Sequence, residues 1–208
     1  AYAQKQREAI CLPFSSGITL ITGGPGTGKT TALLTMIDLF RSYGMKALLA
    51  APTGRAAKRM SQLTGQEFKT IHRLLEPSFD KTGRLRFKKN AADPLQGDVV
   101  IVDESSMLEL SLAASLLAAL PPHARLVLVG DADQLPPVGA GSFFADLLGV
   151  EELPRVRLTE IFRQAQGSDI VVNAHAFNEG RVPPLKKNDG DFFFSTAKSA
   201  ESTVDSVV

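Results

Sequence analysis

The stretch GGPGTGKT at 23–30 lies between an apolar run, GITLIT, and an amphipathic one, TTALLTMIDLFRSYG. It matches G-x-x-x-x-G-K-[ST] at every fixed position, and it follows a strand-like run and opens a helix-like one, as the motif requires. The helix is legible in Leu33, Met36, Ile37 and Phe40, spaced i, i+3, i+4, i+7, with Gly44 as its stop. Glycines let the backbone wrap a phosphate chain with its N–H groups turned inward, and the helix N-terminus adds partial positive charge. A strand, a phosphate-sized loop and a helix in that order confine the chain to a few α/β folds.

The rest of the chain repeats the alternation. KALLAAP at 46–52, DVVIVD at 98–103, RLVLVG at 125–130 and RVRL at 155–158 read as strands. TGRAAKRMSQL, with Thr53 as N-cap, MLELSLAASLLAAL and SDIVVNAHAFNEG, closed by Gly180, read as helices, and TIHRLL as a helical turn. This order predicts an α/β P-loop NTPase fold, a mainly parallel sheet with helices on both faces. Ligands of such sheets sit beyond the C-terminal strand ends, which points to the loops after Thr22, Ala51, Val102 and Val129. The irregular segment 76–97 carries a turn signal at 80–83 and predicts a small inserted hairpin.

Of the 208 residues, 44% are hydrophobic and 22% charged, the balance of an ordinary globule. No apolar run approaches the ~20 residues that span a bilayer. AYAQKQREAI has no apolar core of a signal peptide, and Cys11 has no second cysteine to pair with. A reducing, cytoplasmic setting without a membrane is the expectation. The net charge of +1 hides an asymmetry: residues 51–90 hold ten Lys or Arg against three Asp or Glu. That segment is either a solvated basic face or a track for a polyanion.

Within the loop motif, the backbone at Gly24, Gly26, Thr27, Gly28, Lys29, Thr30 and Thr31 is expected to hold a nucleotide. Lys29 reaches the β- and γ-phosphates, and the Thr30 hydroxyl ligates Mg²⁺. In VVIVDESS, Asp103 ends an apolar strand where it can hold Mg²⁺, and Glu104 can orient and deprotonate water. Alone, such an acidic pair could cap the next helix. Downstream of a phosphate loop it implies ATP hydrolysis. In LVLVGDADQLPPVGAG, Gln134 stands at a functional strand end as a neutral donor and acceptor. The prolines stiffen its loop, so Gln134 can sense the γ-phosphate and pass a small shift to a second ligand.

Six stretches, GGPGTGKTT, APTGRAA, TIHRLL, VIVDESSM, VGDADQLPPVGAG and LTEIFRQ, stand in the order of the motifs of superfamily 1 helicases. The wording resembles the RecD-like DNA helicases, the family of the exodeoxyribonuclease V alpha subunit, from about Gln6 to Gly180. The resemblance implies a RecA-like lobe over 1–180 and 5′-to-3′ movement on single-stranded DNA. It implies that Gln6 contacts adenine and that Arg163 meets the γ-phosphate. Thr53, Gly54 and Arg55 would form a first DNA contact, Thr70 and His72 a second. The hairpin within 76–97 would be a shortened strand-separating pin. On the residues alone, His72 also fits a packed or capping histidine, Arg163 a helix-dipole partner, and the lysines at 81–89 a solvated loop.

The family's motor closes two RecA-like lobes on ATP, and the later motifs of the second lobe are not in this sequence. Residues 181–208 are expected to hold a strand and the start of a linker, with a helix-like pattern at Val204, Val207 and Val208. The expectation is a first lobe that does not unwind DNA alone and that works with a second lobe of the same parent chain, and with nuclease or helicase subunits. A nucleotide-gated DNA-binding module without hydrolysis, an RNA helicase and a P-loop kinase are the competing readings.

Overall fold

The computed structural model describes residues 2–161, 167–183 and 190–194. The chain divides into two compact units, 1–160 and 161–208. This division falls earlier in the chain than the one drawn at 180 from the sequence. Arg163 and the 199–208 pattern lie outside the described residues.

The first unit is built on a parallel sheet of six strands: β1 (Ile18–Gly23), β2 (Ala47–Ala51), β3 (Lys69–Thr70), β6 (Val99–Val102), β7 (Arg125–Gly130) and β8 (Arg155–Leu158). Their order across the sheet is β3-β2-β6-β7-β1-β8. β1 lies between β7 and β8, with Thr22 opposite Gly130 and Gly23 opposite Leu158. β6 pairs with β2 and β7, so Val102 faces Ala50 on one side and Leu128 on the other. All pairs being parallel, the C-terminal ends after Gly23, Ala51, Val102 and Gly130 share one edge. The four loops singled out in the sequence therefore meet there.

Both faces of the sheet are covered, and this explains the unbroken apolar strands. Alternate residues serve opposite cores. Val99, Ile101, Val127 and Val129 pack with Leu33, Met36, Ile37 and Phe40 of α2 (Lys29–Ser42) and with Ala57 and Met60 of α3 (Gly54–Thr64). Val100, Val102, Leu126 and Leu128 pack with Ile71 of α4 (Ile71–Leu74), Leu112 and Leu116 of α5 (Leu110–Ala119), and Phe144 of α6 (Phe143–Leu148). Phe40 is fully buried and stacks on Phe14 with ring centroids 4.2 Å apart. Phe40→Ala should cost about 3–5 kcal/mol in urea denaturation, the range for emptying a buried aromatic site.

The inserted hairpin is present as β4 (Pro77–Phe79) and β5 (Leu85–Phe87), antiparallel. Asp80 ties its turn, accepting from the Thr82 hydroxyl at 2.6 Å and from the backbone N–H groups of Thr82 and Arg84 at 2.8 and 3.1 Å. These bonds, the Thr82 hydroxyl first, hold the Asp80 carboxyl well below the usual carboxylate range. Elements without a counterpart in the sequence reading include α1 (Gln4–Cys11), α6 and the two-residue edge strand β3. Met107 belongs to a 3₁₀ turn, Ser105–Met107, ahead of α5. In the second unit, α7 (Asp169–Asn178) is capped by Ser168, whose hydroxyl accepts from the Val171 N–H at 3.3 Å. Among the described residues, no helix is long and apolar enough to cross a membrane.

Candidate functional site

The phosphate loop joins β1 to α2. Its curvature rests on Gly26 and Gly28, whose φ of +74° and +81° would strain any residue with a side chain. Gly23 is small for a different reason: a Cβ there would stand 2.7 Å from both the Leu158 carbonyl and the Thr27 hydroxyl. Thr27 is buried and donates its hydroxyl to the Gly24 carbonyl at 2.8 Å. Its side chain braces the loop. Gln6 is also buried, with Nε2 donating to the Gly28 carbonyl at 3.4 Å and Oε1 accepting from the Ala3 N–H at 3.2 Å. This glutamine fastens α1 to the loop. Thr30 is half-buried in the first turn of α2, and Thr31 is exposed.

Lys29 donates its Nζ to the carbonyls of Gly23 and Gly24, the latter at 3.0 Å. Burial lowers its pKa, and the charges of Asp131, Glu104 and Asp103, in that order, oppose the shift. Carboxylates that follow two different strands, β6 and β7, therefore act on this lysine. Asp103 directly follows β6, and its N–H donates to the Ala50 carbonyl at 2.9 Å. Burial first, and the neighbouring Glu104 charge second, push its carboxyl up to about 6. Glu104 takes a left-handed backbone conformation, φ +53°, unusual for a residue with a side chain. Ser105 anchors the turn behind it, donating to the Val102 carbonyl at 2.9 Å. Arg59 of α3 reaches the Glu104 carboxylate at 3.9 Å.

The loop after β7 is fastened at several points. The Ala132 N–H donates to the Thr22 hydroxyl at 3.0 Å, which joins it to the root of the phosphate loop. The Asp133 N–H donates to the buried Asp131 carboxylate at 3.1 Å, and Arg157 pairs with Asp133 at 3.4 Å. Gln134 accepts from the Ser106 hydroxyl at 3.4 Å, linking this loop to the turn that follows Glu104. Further on, the Leu110 N–H donates to the Ala140 carbonyl at 3.2 Å. Gly139 packs so tightly that a side chain would run into the Glu109 carboxylate.

A family model described as an AAA domain matches residues 6–140, well over half of the chain. The chain belongs to the AAA domain family. It is 44% identical over 166 residues to the ATP-dependent RecD2 DNA helicase of Deinococcus radiodurans, a match covering 80% of this chain and 22% of that protein. It is 39% identical over 191 residues to the RecBCD enzyme subunit RecD of Mycolicibacterium smegmatis, covering 79% of this chain and 34% of that protein. The resemblance to RecD-like helicases stands on these relatives, of which the chain spans between about a fifth and about a third. A solved structure of two coordinating Pif1 helicases at forked double-stranded DNA shares the fold, with a TM-score of 0.63 at 22% identity over 88% of this chain and 49% of that one.

In this AAA domain the metal question turns on donor chemistry. Asp103 and Thr30 offer oxygen donors beside the phosphate loop, the kind that suits Mg²⁺ shared with substrate phosphates and water. Among the described residues, no group of three or more His, Cys, Asp or Glu is placed to hold a metal ion alone. A partial, oxygen-only set fits a metal that arrives with a nucleotide.

The residues for which the sequence resemblance implies DNA contacts lie at the same edge. β2 and β3 pair with Ala51 opposite Thr70, which sets the starts of α3 and α4 side by side. The Thr53 hydroxyl accepts from the Ala56 N–H, and the Thr70 hydroxyl from the Arg73 N–H, each at 3.2 Å. Both threonines are therefore helix caps as the domain stands. His72 is half-buried with its ring 5.7 Å from that of Phe87, which agrees with a packed histidine. Gly54, Arg55, Lys58 and Arg59 are exposed along α3. Sequence reasoning marks Asp131 and Asp133 as two acids at a functional strand end but gives Asp131 no role, although its charge is the one that most opposes the lowering of the Lys29 pKa. Its signal was available: like Asp103, it is an acid directly after a buried central strand.

Proposed function

We propose that this AAA domain is the first motor lobe of an ATP-dependent DNA helicase, coupling hydrolysis of Mg²⁺-ATP to 5′-to-3′ movement on single-stranded DNA. The observation that carries the reading is the meeting of Lys29, Asp103 and Glu104 at one strand-end edge, with Gln134 tied to the turn behind Glu104. The RecD-type relatives supply the helicase part. In this reading the loop N–H groups and Lys29 hold the β- and γ-phosphates. Thr30 and Asp103 would hold Mg²⁺, which neutralises phosphate charge when bound. Glu104 orients the attacking water and takes its proton. Gln134 reports the state of the γ-phosphate to the loop, and Arg163 is assigned to developing charge on the same phosphate. Gln6 is assigned to adenine, and Thr53, Gly54, Arg55, Thr70 and His72 to the DNA strand. A second lobe would close the ATP cleft, with further nuclease or helicase subunits as in RecBCD.

The test is ATPase activity of the full open reading frame that carries these residues, with and without single-stranded DNA. Stimulation by DNA is expected, and Lys29→Ala should lower kcat by about 10²–10³-fold, the loss typical of removing one donor to a developing anion. Equal stimulation by single-stranded RNA would move the reading to an RNA helicase. Residues 1–208 alone are expected to give no strand displacement. Robust unwinding by them would overturn the single-lobe assignment.

A further inference from the structure

One cation of α3 belongs both to the basic face and to the hydrolytic centre. Ala57 and Met60 turn into the core, so Arg55, Lys58 and Arg59 run along the outer side of the helix. This is the helix that starts at the matched DNA contact, Thr53 to Arg55. Arg59 reaches inward to Glu104 at 3.9 Å, with side-chain exposures of 69% for the arginine and 25% for the acid. The acid is sheltered while its partner stands in water. Its charge also acts on Lys29 and Asp103, which sets it beside the same cluster.

We propose that Arg59 is a positioning residue for Glu104 that exchanges between this carboxylate and a phosphate of the bound DNA strand, so that DNA releases Glu104 for hydrolysis. The inference rests on the helicase reading above. An exposed ion pair at this distance is weak and holds its geometry by a few-fold at most. A guanidinium prefers the forked geometry of a phosphate, and a phosphate laid along Arg55 and Lys58 is within reach of the next cation of the stripe. Glu104 sits in a left-handed backbone conformation next to Ser105, whose hydroxyl is anchored on the Val102 carbonyl, so the exchange is assigned to its side chain. Losing Arg59 therefore re-aims only the side chain. Without DNA, the carboxylate is drawn toward Arg59 and away from the attacking water. With DNA, it is free to take the proton.

The experiment uses the full open reading frame. Arg59→Gln should raise DNA-free kcat by about two- to fivefold, as much as an exposed pair can withhold. KM for ATP and kcat at saturating single-stranded DNA should stay at wild-type values, so the stimulation ratio falls. The salt dependence of DNA binding should lose about one unit of slope, the mark of one phosphate contact. Arg59→Lys, which keeps a charge for either partner but not the fork, should restore part of the wild-type ratio. A DNA-free kcat that is unchanged or lowered in Arg59→Gln, with DNA stimulation intact in wild type, overturns this inference alone. A wild type that DNA does not stimulate overturns the helicase reading and the inference together.

Discussion

Replacing Glu104 with glutamine in the full open reading frame should lower DNA-stimulated kcat by about 10²–10⁴-fold, the usual contribution of a positioned general base. Nucleotide affinity should hardly change. The substitution keeps the shape of the side chain and leaves the left-handed turn and the Ser105 anchor in place. Lys29, the phosphate loop and Asp103 remain to bind the nucleotide. Only the ability to accept a proton is lost. The result expected is a split: a fluorescent ATP analogue binds as in wild type while turnover nearly stops. Unchanged turnover would favour a nucleotide-gated DNA-binding module, with hydrolysis placed elsewhere or vestigial. A parallel loss of binding would show that the carboxylate, through its charge on Lys29, helps to build the loop itself.

Much of this site is legible in the sequence because a parallel sheet is one-sided in its chemistry. Strands buried on both faces, such as Val99–Val102, read as unbroken apolar runs, and the polar residue that ends each run marks the functional edge. Asp103, Glu104 and Gln134 could be placed on that rule. The same rule held for Asp131, yet its role went unseen, because an acid in a glycine-bounded loop also reads as a turn former. The helix α1 carries little apolar periodicity, with Ala9 and Ile10 as its buried apolar residues, and so left no pattern. β3 and α6 are too short for any period to repeat. The capping duties of Thr53 and Thr70 were only half legible. Sequence pattern shows that a threonine can cap a helix, but not whether its hydroxyl is already engaged. The Arg59–Glu104 contact joins a residue of helix α3, which follows β2, to one that follows β6, and it needs those two strands paired.

Asp103→Asn should abolish hydrolysis and, in protein free of nucleotide and metal, make the fold more stable at neutral pH. The cause is the burial that pushes its carboxyl from its ordinary value of 3.8 up to about 6. Its pKa in the folded state lies above that in the unfolded state. Between these values the folded protein keeps a proton that the unfolded chain has lost, so stability falls as pH rises through the window. Above pH 6 the full penalty applies, about 3 kcal/mol for a shift of roughly two units. Asparagine carries no such charge. Urea denaturation should therefore show Asp103→Asn more stable by about 1–3 kcal/mol near pH 7, with the advantage fading toward about pH 4. An equal gain at both pH values would assign the effect to packing, and a loss at neutral pH would mean that the carboxylate is already well stabilised by Lys29. The direction expected is that of a group held charged against its own stability, a cost that a cation delivered with the nucleotide would offset. This is the form a functional acid takes when it is kept for a ligand and not for the fold.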